Sequence, residues 1–174
     1  MTDQIKIVRA SVADSELLAI IGRQSFIESH GHSAAKEDID HYIATKLSAD
    51  FFREDISDPG NIYHIIFYGD EPAGYSKIIL NFPQPDIEQQ HVTKLERIYL
   101  LAKFFPFKLG QALFNFNLQL SKSQFQSGMW LFVWKENQRA FKFYARNGFR
   151  IIGEYDFQVS ATHSNPNWKM LLVY

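Results

Sequence analysis

The chain has 174 residues, no cysteine and a net charge of −1, and 46% of it is apolar. That length suits one domain over residues 1–174 with a full core. The composition excludes a disordered chain, and the lack of cysteine excludes disulfides, thiolate metal sites and a cysteine nucleophile. No apolar run reaches membrane-spanning length, and Met1-Thr2-Asp3-Gln4-Ile5-Lys6 lacks the basic region and apolar core of a leader peptide. A cytoplasmic protein with no membrane partner is therefore expected.

Taken in order, residues 6–10 read as a short strand, and Ser11 to Asp14 as a turn with capping residues. Leu17, Leu18, Ile20, Ile21 and Phe26 form the apolar face of a helix to about Glu28. Ser29-His30-Gly31-His32-Ser33 breaks it. A second helix is expected up to Lys46 and a short acidic one over 49–56, stopped by Asp58-Pro59-Gly60-Asn61. Residues 62–68 and 73–80 read as a hairpin joined through Gly69-Asp70-Glu71-Pro72, followed by a polar loop over 81–90 with Pro83 and Pro85.

Residues 95–148 organise the rest. Leu95-Glu96-Arg97-Ile98-Tyr99-Leu100 is a strand, and Leu109, Ala112, Leu113, Phe116 and Leu120 recur at helical spacing. Met129 to Trp134 is apolar throughout, as a strand buried on both faces should be. Asn137 opens a second helix that stops at Asn147-Gly148. Residues 149–155 and 168–174 read as the last two strands, with a polar loop over 160–167. This order calls for a mixed sheet flanked by helices, with one right-handed crossover around the helix after Leu109.

Leu95-Glu96-Arg97-Ile98-Tyr99, Gly110-Gln111-Ala112-Leu113, Val133-Trp134-Lys135-Glu136-Asn137-Gln138-Arg139-Ala140, Phe143-Tyr144 and Gly148-Phe149 together resemble the core of the GNAT superfamily of acetyl-CoA-dependent N-acetyltransferases. Within it they look most like polyamine acetyltransferases of the PaiA type. The resemblance implies an α/β fold with a mixed, mostly antiparallel twisted sheet flanked by helices. It also implies acetyl-CoA as cosubstrate, no metal, and a primary amine as the second substrate.

The resemblance assigns roles residue by residue. Backbone groups of Ile98, Tyr99 and Leu100 would flank the pantetheine arm, and the segment of Phe107, Lys108, Leu109, Gly110, Gln111 and Ala112 would hold the pyrophosphate. Asn137 would hydrogen-bond the pantetheine, and Tyr144 would point its hydroxyl at the sulfur. One departure stands out. The family's Gln/Arg-x-x-Gly-x-Gly loop aligns with Phe105-Pro106-Phe107-Lys108-Leu109-Gly110, where only Gly110 matches. Pro106 removes a donor, and the loop binds with Lys108 as an electrostatic substitute or has decayed into a non-catalytic, GNAT-like binding domain.

The residues themselves add three points. A phenol such as Tyr144 can protonate a departing thiolate at neutral pH, and a carboxylate such as Glu96 can take the proton of an attacking ammonium, directly or through water. Glu96 and Ile98 are expected on one face of their strand, since side chains alternate. Residues 1–90 carry 7 Lys/Arg against 15 Asp/Glu and residues 91–174 carry 11 against 4, or −8 and +7. Either the halves attract one another, or a phosphate-bearing ligand sits on the basic half and a cationic amine approaches the acidic helices. Glu37, Asp38, Asp40, Asp50, Glu54 and Asp55 would then draw a polycation. No nucleic-acid partner is expected, because the aromatics of the basic half sit in apolar core runs; His30 and His32 lack a third ligand for a metal. The apolar stretch 170–173 is a candidate dimer-pairing strand.

Overall fold

The computed structural model describes residues 5–174; Met1 to Gln4, part of the leader reading above, lie outside them. Seven strands form one sheet in the order β1-β2-β3-β4-β5-β7-β6. They are β1 (Ile5–Arg9), β2 (Asn61–Tyr68), β3 (Glu71–Ile79), β4 (Val92–Leu100), β5 (Gly128–Trp134), β6 (Arg150–Gln158) and β7 (Ser164–Val173). Every neighbouring pair is antiparallel except β4 and β5. The helices are α1 (Ser15–His30), α2 (Lys36–Lys46), α3 (Ala49–Ser57), α4 (Leu109–Ser123) and α5 (Gln138–Arg146). This is the mixed sheet flanked by helices that the chain order calls for, mostly antiparallel as the resemblance implies, with α4 as the crossover between the two parallel strands.

Local sequence explains the boundaries. Ser11 and Asp14 cap each other reciprocally ahead of α1, Ser48 Oγ caps α3 and Asn137 Oδ1 accepts the Ala140 N–H at the start of α5. The β2–β3 turn is tighter than expected, only Gly69-Asp70 with Gly69 at φ 60°, and Glu71 and Pro72 already belong to β3. β7 begins at Ser164, inside the segment read as a loop, because Asn165 and Asn167 are buried and alternate with exposed neighbours.

The core lies on both sides of the sheet. On one side α1, α2 and α3 pack Leu18, Ile21, Ile43 and Phe52 against Tyr63 and Tyr75. On the other, Phe114 of α4 and Tyr144 of α5 close over Leu95, Met129 and Met170. The stretch 170–173 is not a free edge: Met170 and Leu171 are paired with β5 on one side and β6 on the other. Leu172 and Val173, paired with β5 alone, are what is left of it for pairing with a second copy. Among the described residues no helix is long and apolar enough to cross a membrane.

Candidate active site

The site begins where the sheet comes apart. β4 and β5 are paired only at Val92↔Gly128, Thr93↔Met129 and Lys94↔Trp130. Beyond Lys94, β4 continues to Leu100 against β3 alone, and β5 continues to Trp134 against β7 alone. The wedge between them holds a cavity of about 140 Å³ whose walls include Glu96, Ile98, Tyr99, Trp134, Asn137 and Tyr144. An opening of this kind leaves backbone donors and acceptors on the facing edges, so an extended ligand can enter it as an added strand.

Which backbone groups face the wedge follows from the pairing. The Leu101 N–H donates to Ala73 O on β3, and a Cβ on Gly74 would collide with the Tyr99 carbonyl oxygen, so Tyr99 and Leu101 turn their peptide groups to β3. Ile98 and Leu100, of opposite parity, therefore present theirs to the wedge. Of the three residues expected to flank the pantetheine, Tyr99 contributes its ring instead, stacked on Tyr75 at 5.9 Å and edge-on to His30 at 6.0 Å.

A β-bulge moves Glu96. Lys77 is opposite Arg97 and Ile78 is opposite Leu95, so Glu96 is the extra residue. Leu95 and Ile98 share the face of Ile78 and Ser76, toward α4, where Asn117 Nδ2 donates to Ser76 Oγ at 2.8 Å. Glu96 lies on the opposite face with Lys77, so the expectation that Glu96 and Ile98 share a side fails: the bulge breaks the alternation. Its carboxylate is 2.8 Å from Lys77 Nζ and 3.4 Å from Lys94 Nζ, and Lys77 also reaches Asp55 at 2.7 Å. Burial pushes the Glu96 pKa up, but Lys94 and Lys77 outweigh it and hold the group below its usual range.

Tyr144 is 8% exposed and lines the cavity, with its ring edge-on to Phe143 at 5.5 Å and Phe149 at 5.6 Å. Burial raises its pKa, so the phenol keeps its proton well past neutrality. Asn137 lines the same cavity while capping α5.

The segment before α4 is a 3-10 turn over Ala102–Phe107, and Lys108 then takes a left-handed conformation at φ 57° before the helix starts. In the first turn of α4, the N–H groups of Gln111 and Ala112 are returned to Lys108 O. Those of Leu109 and Gly110 have no intrahelical acceptor and point with the positive helix end. The Leu109 side chain is buried, and a Cβ on Gly110 would lie 3.3 Å from Leu100 Cδ1, so Gly110 also seats α4 closely on β4. The Gln111 amide is committed elsewhere, donating to Asn147 Oδ1 at 2.8 Å and tying α4 to the end of α5. The Phe107 ring packs at a tilt against Tyr68, with centroids 4.5 Å apart. Anion-holding capacity is thus concentrated at Lys108, Leu109 and Gly110, fewer than the six residues expected from Phe107 to Ala112.

None of the six acidic residues expected to draw a polycation lines the cavity. Asp40 is paired with Lys36, Asp50 with Arg53 at 2.5 Å, and Asp55 with Lys77 at 2.7 Å. Sequence reasoning passed over Arg97, His30 and Trp134 as site residues, yet all three line the cavity. His30 is stacked between Phe26 at 5.1 Å and Trp134 at 5.4 Å, and His32 lies 5.3 Å from the same indole. Burial, helped by His32, lowers the His30 pKa to about 4. Nothing local marks Arg97, which follows Lys94 and Glu96 in a strand with three charged side chains.

Comparison with known proteins agrees with this geometry. Residues 25–149 match the model of the acetyltransferase (GNAT) family. The chain belongs to the GNAT family of acetyltransferases. It is 29% identical over 153 residues to an uncharacterized N-acetyltransferase encoded in the pepI 3' region of Lactobacillus delbrueckii subsp. lactis, covering 88% of each chain. An uncharacterized N-acetyltransferase of Mycobacterium tuberculosis is 28% identical over 154 residues, 88% of this chain and 94% of its own. Among solved structures, PaiA N-acetyltransferase from Thermoplasma acidophilum in complex with coenzyme A superposes with a TM-score of 0.78 at 21% identity, covering 98% and 99% of the two chains. Arabidopsis thaliana NAA60 in complex with a bisubstrate analogue gives 0.75 at 15% identity over 98% of each. These two likenesses are of fold.

Proposed function

We propose that the chain transfers the acetyl group of acetyl-CoA to a primary amine by direct attack within a ternary complex. The observation that carries this reading is the wedge: β4 and β5 part beside a buried tyrosine, with the N-terminus of α4 next to the same strand. The residues present fit the cosubstrate. Ile98 and Leu100 offer unpaired strand edges to a pantetheine arm, Leu109 and Gly110 offer N–H groups to phosphate oxygens, and Lys108 supplies a cation outside every ion pair found among the described residues. Asn137 is placed to orient the arm near Tyr144.

The bound thioester supplies an activated acetyl group; the chain supplies position and protons. The Tyr144 hydroxyl, kept protonated by burial, donates to the departing sulfur. The proton of the attacking ammonium leaves through water past Glu96, whose ion pairs with Lys77 and Lys94 make it a stronger hydrogen-bond acceptor than base. A polyamine acceptor has little support from charge, since the acidic side chains of α2 and α3 are outside the cavity wall.

Titration calorimetry with acetyl-CoA tests the reading. Saturable binding near micromolar, about −8 kcal/mol, weakened by added salt, is the expected result. No saturation at millimolar ligand would overturn it and leave a GNAT-shaped domain without the transferase step.

A further inference from the structure

The cavity lining includes a guanidinium with one nitrogen that nothing in the protein answers. Lys94, Glu96 and Arg97 are its charged lining residues, and Lys94 and Glu96 pair with each other at 3.4 Å. Arg97 is in none of the ion pairs found among the described residues. Its Nη2 donates to Lys46 O at the end of α2 at 3.3 Å, and its guanidinium lies over Phe51 and Phe52 at 5.3 and 5.6 Å. Its Nη1 is buried with no hydrogen-bond partner. His30 adds no charge at neutral pH, with its pKa lowered to about 4 by burial and by His32.

A second unpartnered donor belongs to the lining of the same cavity. The Trp134 side chain is 5% exposed, and its Nε1 is buried without an acceptor. Buried donors left unpaired are rare. Two such donors in the lining of one cavity mark the place of a missing acceptor, and a guanidinium fork selects a carboxylate among acceptors. Phe26, Tyr42 and Phe157 give the same cavity an aromatic side.

We propose that the acceptor amine carries a carboxylate, received by the Arg97 guanidinium and the Trp134 indole N–H, with an apolar side chain against Phe26, Tyr42 and Phe157: an amino acid rather than a polycation. This rests on the acetyl-transfer reading above. Transfer forms the amide C–N bond and breaks the thioester C–S bond, the amine losing one proton and the thiol gaining one.

The test is a thiol-release assay with acetyl-CoA; the chain itself has no cysteine to react with the reagent. Spermidine and the nineteen standard amino acids other than cysteine are assayed first, and each amino acid that turns over is then compared with its own carboxamide, with rates expressed per neutral amine because amidation also lowers the α-amine pKa. The expected result is an acid-over-amide ratio in kcat/KM of tenfold or more, expressed mainly in KM. In Arg97→Gln that ratio falls toward one, and in Trp134→Phe it falls partway. Because the ratio is internal to each variant, a loss of folded enzyme does not change it, and the wild-type ratio decides even if Arg97→Gln does not fold. A wild-type ratio of one or below, or turnover of spermidine with none of the amino acids, overturns this inference and leaves acetyl transfer standing. Turnover of no amine, together with no acetyl-CoA binding by calorimetry, overturns both.

Discussion

The Arg139 guanidinium lies 3.0 Å from the centroid of the Phe105 ring. This contact ties the 3-10 turn ahead of α4 to the first turn of α5, and it brings a second cation beside the segment where Pro106 removes a donor. Phe105 replaces a polar residue of the family's loop and still has a use, as the platform for that cation. A cation–π pair at a partly exposed site contributes about 0.5–1 kcal/mol. Arg139→Ala is therefore expected to lower stability by that amount in thermal unfolding, and, by removing a cation beside the loop, to weaken acetyl-CoA binding in calorimetry with a deficit that shrinks as salt rises.

Lys108 sets stability against binding. It holds φ 57° at the entry to α4, a conformation that costs a side-chain-bearing residue about 1–2 kcal/mol and glycine almost nothing. Lys108→Gly should raise the melting temperature of the ligand-free protein by a few degrees while lowering acetyl-CoA affinity at low salt. A variant that melts no higher and binds as well would show that neither the strain nor the charge matters.

Tyr144→Phe removes the hydroxyl and keeps the ring packed on Phe143 and Phe149. A general acid contributes about 10²–10⁴ in rate, so kcat should fall by that order with little change in the Kd for acetyl-CoA. Because burial raises the phenol's pKa above its ordinary value, the wild-type rate should show no decline from Tyr144 ionisation up to about pH 10. Steady-state kinetics across pH, beside a binding titration, separates the two effects.

Burial, with repulsion from Arg9, lowers the His64 pKa to about 4, and its Nδ1 is buried without a partner. The unfolded chain binds a proton near pH 6.5, so between about 6.5 and 4 the unfolded state takes up more protons than the folded one. Stability is full above that window and falls through it, by up to roughly 3 kcal/mol for this residue. Glu96, held below its ordinary range, adds a further loss as the pH drops through its folded pKa. Thermal unfolding from pH 7.5 down to 4.5 should show a steep decline, and His64→Phe, packed beside Phe116, should flatten it.

Much of this was legible in the chain. The apolar run of β5, the helical spacing of Leu109, Leu113 and Leu120, and the Asn137 and Asn147 boundaries of α5 are local signals, and each lies where the periodicity places it. The bulge at Glu96 has no local mark, since it arises from how β3 and β4 pair, and it moved a candidate base to the other face of the sheet. β7 was read four residues late because its first half buries Asn165 and Asn167 rather than aliphatic side chains. The unpartnered Arg97 Nη1 shows only when the cavity wall is assembled from α1, β4, β5 and β7.

The three-residue contact between β4 and β5 is also a mechanical statement. The sheet is two plates joined by a short hinge, with α4 as the strap connecting them. A strand-like ligand lying in the wedge would add rungs to the ladder on both sides at once and turn two plates into one. Occupancy should then slow amide exchange in both halves of the molecule, including residues that never touch the ligand, so the cosubstrate would serve as a structural member of the sheet for as long as it is bound.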